Sequence, residues 1–275
     1  MASSPTSTST ATVSSAPDHL SPTERIVRNE RTIVIAAIVL LAGLGWWWTL
    51  SGAGMPTGKG GMGTMAGMGG MEKPAAPVLL TVFMWWTMMA AMMLPSAAPA
   101  ILLYGRVRRQ RGGQSTIAPS GVFLSGYLLA WLGASAIAAA LQIAATHAGL
   151  LDAMTLRTGH KTLAGATLIA AGLYQLSPVK DACLLTCRSP TEFLTRYWRP
   201  GLWGALRLGL LHGSYCVGCC WLLMALLFVG GVMNFAWIAA LAALVAAEKL
   251  VPGGKIVARV AGVMLILWGT VKIVT

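Results

Sequence analysis

Seven apolar stretches, each close to the length needed to cross a hydrocarbon core, divide this chain and leave little room for any fold but a helical membrane bundle. They cover residues 33–50, 78–104, 121–146, 162–176, 202–229, 235–250 and 256–273. The fourth and sixth are short, and are expected to be tilted, broken or partly interfacial. Charge is scarce as well: 10% of residues are charged against roughly 25% in soluble domains, and mean hydropathy is +0.70. The expected fold is an all-α polytopic membrane protein of about seven transmembrane helices, one amino-terminal helix ahead of a six-helix core. Its parts are expected to be a disordered Ser/Thr/Ala/Pro-rich tail over 1–31, the first transmembrane helix over 32–50, a Gly/Met-rich outer loop over 51–77, and the core over 78–275.

The net charge of +12 is informative through its placement. Arg25, Arg28 and Arg31 precede the first stretch; Arg106, Arg108, Arg109 and Arg111 follow the second; Lys180, Arg188, Arg196 and Arg199 follow the fourth. Basic connections that alternate with charge-poor ones put the amino terminus and the Arg-rich loops in the cytoplasm. The carboxyl terminus is then expected outside. No nucleic-acid motif accompanies these residues, and the bilayer, with its anionic lipid, is the expected partner. Trp46, Trp47 and Trp48 read as an interfacial anchor of a retained first helix rather than the end of a cleaved signal.

Within the fifth stretch, His212, Cys216, Cys219 and Cys220 fall inside nine residues. At about 100° per residue they share a helix arc of roughly 100°, so an imidazole and three thiols face the same way. Each cysteine alone is most simply a compact hydrophobe, but the joint pattern points to metal or redox chemistry. Thiolate, thioether and imidazole select soft or borderline ions, with Cu(I) first and Zn(II) second. Methionine separates the two, because a neutral thioether is a good ligand for Cu(I) and a poor one for Zn(II).

The chain has fifteen methionines. Met62, Met65, Met68 and Met71, with Met55, stand in the glycine-rich outer loop, where there is no apolar surface to pack on. The second stretch opens with Met84-Trp-Trp-Thr-Met-Met-Ala-Ala-Met-Met-Leu-Pro95, which aligns Met84, Met88 and Met92 on one face and Met89 with Met93 beside them. Taken alone, that stripe reads equally as flexible packing. Pro95 and Pro99 are expected to kink or unwind the helix and free carbonyls there. Gly126, Gly133, Gly165 and Gly172 are expected to permit close helix packing. Cys183 and Cys187, one helical turn apart in a cytoplasmic connection, are candidate receiving ligands. Glu248 beside Lys249 reads as a local ion pair near the interface. His147, Asp152 and His160 fit no ligand spacing.

The stretch 88–99, the stretch 172–190 with its Ser-Pro-Val-Lys-Asp-Ala-Cys-Leu-Leu-Thr-Cys-Arg run, the His212-Gly-Ser-Tyr-Cys-Val-Gly-Cys-Cys-Trp-Leu-Leu-Met224 run with Gly231-Val-Met-Asn234, and Glu248-Lys249 together resemble the predicted metal-binding integral membrane protein family, domain of unknown function 2182. The resemblance extends from about Val78 to the carboxyl end. It implies a bacterial membrane protein with presumed metal binding, and supplies no activity or substrate. The four-spaced methionines after a Met-rich outer segment also look like the selectivity arrangement of eukaryotic-type copper transporters.

The expected function is Cu(I) binding in the bacterial inner membrane, for transport or delivery. Copper passes from Met62, Met65, Met68 and Met71 to Met88, Met89, Met92 and Met93, then to His212, Cys216, Cys219 and Cys220, with a periplasmic or cytoplasmic metal-exchanging protein as partner. Two alternatives stay open: a membrane thiol–disulfide oxidoreductase using Cys216, Cys219 and Cys220, and a copper-storing assembly subunit that does not transport. No hydrolytic motif is present, and no residue is assigned a catalytic role.

Overall fold

Helix follows helix through the computed structural model, which describes residues 22–50, 78–112, 116–152 and 155–275, with the side chains of 22–30 and 49–50 excepted. Residues 1–21 of the tail expected over 1–31 and the outer loop 51–77, with Met55, Met62, Met65, Met68 and Met71, lie outside the described residues, while helix already begins at Pro22, inside the expected tail. The elements are α1 (Pro22–Leu50), α2 (Val78–Gln110), α3 (Ile117–His147), α4 (Lys161–Gln175), α5 (Pro178–Arg188), α6 (Pro190–Tyr197), α7 (Gly201–Ala225), α8 (Leu227–Gly230), α9 (Phe235–Leu250) and α10 (Gly254–Val274). Among the described residues there is no strand, only an isolated bridge between Leu151 and Thr158.

All seven apolar stretches are helical, yet fewer than seven are long enough to cross a bilayer alone. Five qualify by length and composition: α1, α2, α3, α7 continued through α8, and α10. A sixth is reached if α4 and α5, which meet at a 62° bend, form one broken span. The physical reason is length. At 15 and 16 residues, α4 and α9 reach only about 23 Å, short of a hydrocarbon core of about 30 Å. The bend between α4 and α5 is built by Ser177, whose hydroxyl accepts from the Lys180 amide at 3.2 Å, and by Pro178 in the first turn of α5.

Small residues set how the helices meet. A side chain at Gly126 of α3 or Gly209 of α7 would run into the opposing backbone, at Leu206 and Phe123 respectively, and a Cβ at Gly213 would lie 2.6 Å from that of Ala130. The two helices therefore lie backbone against backbone, which brings Phe123 and Tyr127 of α3 over the middle of α7. Gly165 and Gly172 perform the same task between α4 and α10, where an added Cβ would come within 2.7 and 2.6 Å of the Gly269 and Gly262 carbonyls. Gly133 departs from expectation: a Cβ there would meet nothing within 4 Å, because it faces a cavity rather than a neighbouring helix.

Of the kink or unwinding expected at Pro95 and Pro99, unwinding does not occur: α2 continues as helix to Gln110. Hydroxyls gather at that turn, with Ser96 Oγ donating to the Met93 carbonyl at 2.8 Å and Tyr127 OH donating to it at 3.4 Å. Packed neighbours hold a proline-containing helix in register where an isolated one would break.

Candidate metal centre

The middle of α7 carries the four sequence-identified donors, and all four are buried: His212, Cys216, Cys219 and Cys220. His212 is enclosed by aromatic rings from three directions, with centroid separations of 6.0 Å to Phe123, 6.0 Å to Tyr127 and 5.4 Å to Phe193. Its Nδ1 is buried without a hydrogen-bond partner. An unpaired buried ring nitrogen has a desolvation cost that a bound ligand would offset.

One turn on, the Cys216 sulfur meets two polar groups, Tyr127 OH at 3.1 Å and the Lys249 ammonium, which donates to it at 2.8 Å. The Cys219 and Cys220 thiols both donate to the Cys216 carbonyl, at 3.1 and 3.0 Å. They are turned back onto their own helix, so the donors share one buried face without closing around a point. Among the described residues, no group of three or more His, Cys, Asp or Glu side chains is arranged to hold an ion. No disulfide links any of the five cysteines.

α5 brings the remaining sulfurs to this face. Its spacing of four residues is helical, as expected for Cys183 and Cys187, and it packs along α7 instead of standing apart as a connection. The Cys187 thiol packs beside that of Cys219. The close approach is made possible by Gly218, where a Cβ would come within 3.3 Å of the Cys183 sulfur, and by Tyr174 OH, which donates to the Gly218 carbonyl at 2.5 Å.

The methionine stripe is buried as well, with Met88, Met89, Met92 and Met93 in the same apolar cluster as the cysteines of α7. Its tie to the cysteine helix runs through α3, since Tyr127 bonds both the Met93 carbonyl and the Cys216 sulfur. Beside this tie a cavity of about 480 Å³ is lined by Met89 and Trp85 of α2, Trp131 and Gly133 of α3, and Val217 and Met224 of α7.

The pairing expected for Glu248 and Lys249 is corrected. Adjacent helical residues point about 100° apart and do not face each other. Glu248 instead binds the Lys180 ammonium at 2.7 Å and accepts from Gln175 Nε2 at 2.7 Å, while Lys180 also donates to Gln175 Oε1. Arg188 caps the arrangement by donating to the Glu248 carbonyl at 2.7 Å. Lys249 points the other way, to sulfur. Tyr127, Lys249 and the Lys180–Glu248–Gln175 cluster were not singled out by motif spacing. The one sequence signal was the pair of charges closing an otherwise apolar helix.

A group of buried thiols and a buried imidazole nitrogen with no partner suit a soft metal ion. A family model described as PpoB2, copper chaperone, matches residues 82–272. No curated protein and no solved structure matches the chain.

Proposed function

The chain belongs to the PpoB2 copper chaperone family, and on that premise we propose that it is a membrane-embedded protein that binds Cu(I) and hands it to a partner. The carrying observation is the buried donor face of α7, with His212, Cys216, Cys219 and Cys220 on one arc and Cys187 of α5 against Cys219. In this reading the amino terminus is cytoplasmic and the bilayer is the bacterial inner membrane. Copper is gathered outside by Met55, Met62, Met65, Met68 and Met71, and passes the stripe Met88, Met89, Met92 and Met93. It is then held on sulfur at Cys219, with Cys187, Cys216 and Cys220 available for exchange and His212 at the approach. Thioethers bind weakly enough to release, whereas thiolates hold. Cys183 extends the sulfur set toward the receiving partner. The likeness to domain of unknown function 2182 and membership in this family are, in the same proposal, two descriptions of one group of membrane proteins.

The test is metal content after anaerobic purification of the full-length protein. Wild type is expected to retain copper, and the correctly folded variants Cys219→Ser and His212→Ala to lose it. Unchanged copper in both variants would remove the proposed site. Copper flux into proteoliposomes then distinguishes transport from storage. A dithiothreitol-dependent mobility shift in copper-free protein is the signature the thiol–disulfide alternative requires.

A further inference from the structure

The last turn of α9 buries an ammonium group among sulfurs. Lys249 is 8% exposed, and the hydrogen bond it makes goes to the Cys216 sulfur. The carboxylate next to it in sequence is already committed, because Glu248 is neutralised by Lys180. Counting the buried charges of this region, Lys180 and Glu248 cancel and Lys249 leaves one positive charge; Arg188, nearby, is half-buried. A buried charge without a counter-ion is strongly unfavourable. The sulfurs are the groups on this face that can supply the missing negative charge.

Resting on the copper reading above, we infer that Lys249 is a specificity-determining residue that matches the sulfur site to a monovalent ion. Cu(I) entering between Cys187 and Cys219 forms two Cu–S bonds as the two S–H bonds break and both protons pass to water. The resulting dithiolate unit carries one negative charge, and Lys249 brings the sum to zero. A divalent ion such as Zn(II) on the same two thiolates is itself neutral and leaves Lys249 uncompensated. Zn(II) reaches balance with Lys249 only by taking a third thiolate, and the two within reach are engaged: Cys216 is held by Lys249 and Tyr127, and Cys220 donates to the backbone of its own helix. Discrimination therefore comes from charge as well as from the softness of sulfur.

The test loads purified full-length protein anaerobically with Cu(I) and Zn(II) in competition, and reads bound metal by elemental analysis and Cu(I) affinity by competition with a chromogenic chelator. Lys249→Met is expected to weaken Cu(I) binding by about 10- to 100-fold and to raise the Zn:Cu ratio, as loss of a partner just outside the ligand shell does elsewhere. Lys249→Arg restores both. Should Lys249→Met fail to fold, Lys249→Gln removes the charge, keeps a donor for the Cys216 sulfur and leaves every cysteine in place, and is expected to show the same lost discrimination. Wild-type affinity and ratio in either neutral variant overturn the role of Lys249 while leaving the copper reading intact. A wild-type protein that takes up no Cu(I) overturns the copper reading itself.

Discussion

Glu248 and Lys249 are neighbours in sequence and serve different contacts, one locking α9 to α4 and α5 through Lys180 and Gln175, the other reaching Cys216. Removing one charge of a buried pair costs about 3–5 kcal/mol, while replacing both with apolar groups is often neutral. Glu248→Gln is therefore expected to lower thermal stability in detergent substantially, and Lys180→Met/Glu248→Met to recover most of it. Equal melting of Glu248→Gln and wild type would show that the pair carries no weight. At this scale the shared buried face of His212, Cys216, Cys219 and Cys220 was legible in advance, because helical periodicity alone puts those positions on one arc. The partners were not. Tyr127 is one aromatic residue among many in apolar helices, and nothing local in the sequence says that Lys180 crosses to α9.

At the scale of elements, the site depends on α3 and α7 lying backbone to backbone. A Cβ at Gly213 would stand 2.6 Å from that of Ala130 and 3.0 Å from the Tyr127 carbonyl. Gly213→Val is expected to force the helices apart, cost about 1–3 kcal/mol and weaken copper retention, because Tyr127 moves away from Cys216. Gly133→Ala, which meets nothing within 4 Å, is the matched control and is expected to leave both unchanged. A Gly213→Val protein as stable and as copper-loaded as wild type would mean that this contact does not position the centre. Glycine at small-residue spacing marked a contact correctly at positions 126, 165 and 172 and misled at 133, since spacing does not reveal which glycine faces a cavity. Unwinding at Pro95 and Pro99 is absent for a related reason: a helix-breaking residue acts on the isolated segment, whereas Ser96 and Tyr127 support the chain at that turn.

For the whole molecule, helix content and the positions of all seven apolar stretches could be read from hydropathy, while the number of complete spans could not. α4 and α9 are apolar but short, and the polar cluster of Gln175, Lys180 and Glu248 joins their ends with α5 inside the protein. In the proposed reading, capture outside and holding inside belong to different parts of the chain. Deleting residues 55–71 is thus expected to reduce copper loading in cells at scarce copper and leave it complete at high copper; equal loading at both concentrations would rule out a capture role for those methionines.

The reading as a whole stands on sulfur-bound Cu(I) within the helical bundle, which X-ray absorption at the copper edge of anaerobically purified wild-type protein reads without any substitution. A Cu(I) edge with a first shell of at least two sulfurs, lost in Cys187→Ser/Cys219→Ser, is the expected spectrum. Absence of copper, or a shell of oxygen and nitrogen alone, would contradict it.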